Sequence, residues 1–96
     1  MITLIVLVLL LWLSHAGDML TTFVALDRGC VEFNPVMASL SWGGMVAFKA
    51  GCILFVTGLI LRYLYTSPRV AHALLWLGIL AGTGAAVWNI YQLPLC

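Results

Sequence analysis

Three long apolar stretches, residues 2–26, 45–65 and 70–93, take up most of this chain and restrict what it can fold into more than any other feature. A helix rises about 1.5 Å per residue, so roughly 20 mainly apolar residues cross a hydrocarbon core about 30 Å thick. Each stretch is long enough. Of the 96 residues 65% are apolar and 7% charged, whereas soluble domains carry about 45–50% apolar and about 25% charged residues. A chain this short could not bury that much apolar surface in water. No strand-like alternation competes. The expected fold is therefore all-α: a single domain over residues 1–96, built as a three-span transmembrane bundle. The bilayer is its first partner, and a net charge of +1 leaves no basic footprint for nucleic acid.

The first stretch has a rival reading as a secretory signal, because residues 4–13 form a compact apolar run followed by the small residues Ser14 and Ala16. Met1, Ile2 and Thr3 include no Lys or Arg to make a basic leader, so a retained first span is expected. Orientation rests on few charges. Arg62 and Arg69 flank the short connection between the second and third spans, and Arg28 is the one Lys or Arg in the long connection. Counting cations places the short connection and the N-terminus in the cytoplasm, with the long connection and the C-terminus outside. The membrane expected is the prokaryotic cytoplasmic (inner) one.

The long connection carries a helix signal of its own. Asn34 before Pro35 pairs a capping amide with a proline suited to the first helical position. This predicts a short interfacial or re-entrant helix over residues 35–42, ended by Gly43 and Gly44. Pro68 is expected to stop the second span.

The informative residues are those that lipid should exclude. His15, Asp18 and Thr22 are spaced by three and four and share one stripe of the first span, with Thr21 beside it. Lys49 lies in the second span and Asn89 in the third, and all of these fall toward the outer side, where the connection bearing Glu32 and Asn34 closes over them. A bare Asp or Lys at the centre of a span costs about 2.5–3.5 kcal/mol on insertion scales. Asp18 and Lys49 are therefore expected within salt-bridge or one-water distance, with His15, Thr22 and Asn89 satisfying the remaining donors and acceptors.

Small residues mark where helices can approach. Gly78, Gly82, Ala85 and Ala86 lie on one face of the third span with Asn89, the small-residue pattern of membrane helix contacts. On the second span Gly44, Gly51 and Gly58 recur every seven residues, nearly opposite the face of Lys49, Cys52, Ile53, Val56 and Ile60. One of those two faces must meet something other than the first span, either another membrane protein or another copy.

The pattern of Asp18, Thr21-Thr22, Gly29, Glu32, Asn34-Pro35, then Lys49 and a late Asn resembles a family of short prokaryotic multi-spanning membrane proteins catalogued as a domain of unknown function. The resemblance runs over roughly residues 10 to 92 and implies a fold. It implies no activity.

Each polar residue also has a plainer role open to it. Asp18 and Lys49 can be a structural interhelical pair, His15 a satisfied core histidine, and Thr21 and Thr22 can bond to carbonyls one turn earlier. Asn34 can be only a cap and Glu32 only a complement to the helix N-terminus. His15 and Asp18 give a metal two contacts, and only Glu32 could add a third, so the sequence leaves metal and cofactor unassigned. Ser14, His15 and Asp18 sit on one helix with Ser14 turned away, which argues against a hydrolase triad. Cys52 reads as a packing residue, whereas Cys30 and Cys96 share a side and could be bridged. Three functions remain in play. The favoured one is a non-enzymatic subunit or helix-packing partner in a membrane complex, ahead of an oligomeric ion or small-solute transporter or channel using Asp18 and Lys49. A metal or enzyme site under the long connection is the third.

Overall fold

The computed structural model describes residues 2–31 and 35–96. Four α-helices follow one another: α1 (Ile2–Asp27), α2 (Pro35–Ala38), α3 (Trp42–Thr66) and α4 (Pro68–Gln92), with a final 3-10 turn at Leu93–Leu95. There is no strand among the described residues. Three of these helices are long and apolar enough to cross a membrane, and the molecule's longest extent of 45 Å matches a bilayer of about 40–45 Å with its headgroups. The chain is an integral membrane protein by this measure. Its large apolar side chains, among them Leu9, Leu13, Phe55 and Leu80, point outward where lipid replaces water as solvent.

Helix α1 packs along α4, α3 packs chiefly on α4, and α1 and α3 barely touch. The close pair is made possible by glycine. A methyl group at Gly78 would stand 2.5 Å from Leu11 Cδ1, and one at Gly82 would stand 2.7 Å from Ser14 Oγ and 3.0 Å from the Ser14 backbone. The apolar core lies in the half of the bundle away from the disulfide, where Leu7, Leu11, Ile60, Ala71 and Leu75 are buried together.

Two boundaries differ from the sequence expectation. The short helix ends at Ala38 rather than near residue 42, because Ser41 caps α3 by accepting from the Gly44 backbone N–H at 3.2 Å. Gly43 and Gly44 thus open α3 instead of closing α2. Pro68 does not merely stop a span: it is the first residue of α4, where its missing N–H costs nothing, and Ser67 alone joins α3 to α4.

At the other end of α1 the chain turns through Gly29, whose φ of 90° is open to glycine but strained for other residues. The Cys30 N–H reaches back to the Ala25 carbonyl at 2.9 Å and the Gly29 N–H to Leu26 at 3.0 Å. This helix-ending turn lays Cys30 against the end of α4. Cys30 is disulfide-bonded to Cys96 there, with a Cα–Cα separation of 5.2 Å.

Candidate functional site: an intramembrane polar cluster

Asp18 and Thr22, one turn apart on α1, and Asn89 on α4 are the buried polar residues among those described. Lys49 approaches from α3, its ammonium 2.8 Å from Asp18 Oδ2. Side-chain exposures of 22% for Lys49 and 12% for Asp18 leave the pair a narrow opening. The other carboxylate oxygen, Oδ1, accepts from Asn89 Nδ2 at 3.2 Å and from the Thr22 hydroxyl at 3.5 Å.

Asn89 is the hub on α4. Its two Nδ2 protons face four acceptors: Thr22 Oγ1 at 2.8 Å, Thr21 Oγ1 at 3.0 Å, Asp18 Oδ1 at 3.2 Å and the Asp18 carbonyl at 3.3 Å. Gln92, one turn further, donates to Asn89 Oδ1 at 3.4 Å. Charges of opposite sign cancel within the cluster, and amide and hydroxyl groups take up the remaining capacity of the carboxylate.

Several residues depart from their expected places. His15 does not join the ion pair, since its Nε2 lies 2.8 Å from the Gly78 carbonyl on α4. A carbonyl only accepts, so Nε2 holds the proton. Of the two threonines, only Thr21 bonds back to carbonyls, to Gly17 at 2.8 Å and Asp18 at 3.0 Å, whereas Thr22 turns to the carboxylate. Cys52 is exposed rather than packed. Gly51 and Gly58 are exposed with nothing within 4 Å of an added Cβ, which leaves their face of α3 open, as a face meant for a neighbour outside this chain would be. Ala86 is half-buried on the α4 face that carries Gly78 and Gly82. Glu32 and Asn34 lie outside the described residues. Gln92 was not named from sequence, and Thr21 only as a neighbour of the polar stripe; their signals were a three-residue spacing from Asn89 and adjacency to Thr22.

A cavity of about 320 Å³ opens beside the cluster, walled by Asp18, Lys49 and Asn89 with Phe48, Cys52 and Trp88. The Ser14 hydroxyl is spent on the Leu11 carbonyl at 2.8 Å, so Ser14, His15 and Asp18 form no relay. No group of three His, Cys, Asp or Glu able to hold a metal comes together among the described residues.

An all-helical, three-span fold with an ion pair held inside the bundle defines a small polytopic membrane protein. The chain belongs to the family of the domain of unknown function DUF5658, whose model matches residues 3–95. No match is found among curated proteins or among solved structures.

Proposed function

We propose that this chain is a non-enzymatic subunit of a prokaryotic inner-membrane complex, docking through the open face of α3 on another membrane protein or on a further copy. The observation that carries this reading is the pair Gly51 and Gly58. They lie two turns apart on the outside of α3 with open space around them. Glycine in a helix interior costs about 1 kcal/mol relative to alanine, and here no contact among the described residues repays it. A neighbouring helix at close range would. The ion pair and Asn89, by contrast, are turned inward toward one another.

The disulfide supports an orientation. Bridges persist in oxidising compartments, which favours an orientation with the end bearing Cys30 and Cys96 outside and the Arg62 and Arg69 end inside, in line with the cation count. Mass spectrometry of the complex released in mild detergent tests the function: an assembly that Gly58→Ile and Gly51→Ile dissolve is expected. A monomer in wild type would sink the reading. The cavity beside Asp18 and Lys49 favours a second reading, an oligomeric ion or small-solute transporter, against which stands the apolar core around Leu11 and Leu75.

A further inference from the structure

Four cavities follow one another from the disulfide end into the bundle. The outermost, of about 390 Å³, lies against Gly29, Cys30, Trp88, Gln92 and Cys96. It shares Cys30, Trp88 and Gln92 with a smaller one of about 90 Å³, which reaches Thr22 and Asn89. Thr22, Trp88 and Asn89 are shared in turn with the cavity of about 320 Å³ at the ion pair. Beyond it, Met19 and Lys49 also wall a slot of about 150 Å³ that reaches His15 and Trp12. The polar side chains Gln92, Asn89, Thr22, Asp18 and Lys49 mark the first three cavities, and the slot beyond them is apolar except for Lys49 and His15. Below His15 the packing of Leu7, Leu11, Ile60 and Leu75 closes it.

We propose that these cavities form one hydrated vestibule, open at the disulfide end and closed at mid-membrane, that admits water and small polar solutes to Lys49 and Asp18. Three observations beyond the volumes support it. Among the described residues Lys49 has a single acceptor, Asp18, so two of its ammonium hydrogens are left for a solvent or solute oxygen. Buried polar sites of this size hold water where two to four polar partners converge, and here the partners line the walls. At the inner end, His15 meets α4 with the edge that carries Nε2 and Cδ2. Nδ1 stands at the ring vertex opposite that edge, so it points away from α4, and it is buried with no partner among the described residues. The ion pair is neutral overall, so the solute class favoured is a small neutral hydrogen-bonding molecule rather than a free ion. The proposal does not depend on docking at α3.

The native thiol of Cys52 reports on this directly, because it lines the central cavity and is not in the disulfide. A thiol facing hydrocarbon stays protonated and is not met by a charged, membrane-impermeant thiosulfonate; a thiol in water ionises and reacts. The full chain in sealed vesicles is treated with a trimethylammonium thiosulfonate from the disulfide side and, separately, from the other side. Expected is labelling of Cys52 from the disulfide side alone, slowed about tenfold by Ala85→Trp, which fills the cavity, and quickened by Phe48→Ala, which widens it. An intact Cys30–Cys96 bridge in each variant checks the fold. Cys52 silent from the disulfide side, or equally reactive in wild type and Ala85→Trp, would overturn the vestibule. Both outcomes leave the assembly measured by mass spectrometry untouched.

Discussion

Asp18 and Lys49 hold each other in a place where neither would be tolerated alone. Asp18→Leu leaves an ammonium unpaired among helices, and Lys49→Leu leaves a carboxylate with, among the described residues, Asn89 and Thr22 for relief. Each single change is expected to lower stability by about 2–4 kcal/mol, because an unpaired charge in the bilayer carries most of that cost. The double change removes both charges and is expected to recover more than half of the loss. Unfolding of the wild type and these three variants in mixed micelles gives the cycle; additive losses would show that the pair contributes nothing as a pair. Asn89→Leu removes only hydrogen bonds, which average about 0.6 kcal/mol each inside membrane proteins, and is expected to cost less than either charge change.

At the level of elements, glycines on two helices that look alike in sequence have opposite consequences. Gly82 lies where α1 and α4 touch, and a methyl group there would press on the Ser14 hydroxyl and backbone. Gly82→Ala is expected to push the helices apart, break the His15 to Gly78 bond and cost about 1–3 kcal/mol, as overpacking does. Gly58→Ala meets open space and is expected to leave the isolated chain's stability unchanged or slightly raised. Thermal unfolding in one detergent separates the two. The spacing rules placed Gly78, Gly82 and Asn89 on one face, but which neighbour that face would meet depends on the handedness and tilt with which α1 and α4 cross, and neither is written in a single helix.

For the molecule as a whole, the bridge between Cys30 and Cys96 ties the loop after α1 to the end of α4 across a sequence separation of 66 residues. A chain-entropy estimate for a loop of that length gives about 4 kcal/mol, an upper bound here because spans already held in a bilayer have less freedom to lose. Reduction is expected to loosen the disulfide end around Trp88 and Gln92 while leaving the apolar core of Leu11, Ile60 and Leu75 in place. Amide exchange with and without reductant checks this: faster exchange confined to the last turns of α1 and α4 is expected, and uniform loosening would contradict it. Reduced Cys96 should then be labelled by an impermeant maleimide from outside intact cells. Labelling from the cytoplasmic side alone would reverse the orientation.

Sequence by itself determined the solvent, the number of spans and their approximate ends, because length and hydropathy against a layer of fixed thickness leave few choices. It also marked Asp18, Lys49 and Asn89 as residues that lipid would not accept unpartnered. Only the tertiary structure decided what they partner: Lys49 reaching Asp18, Asn89 drawing in Thr21, and His15 leaving the cluster for a carbonyl exposed between two glycines. Those outcomes turn on differences of an ångström in how helices approach. Helical periodicity assigns a residue to a face; the close packing at Gly78 and Gly82 decides what that face touches.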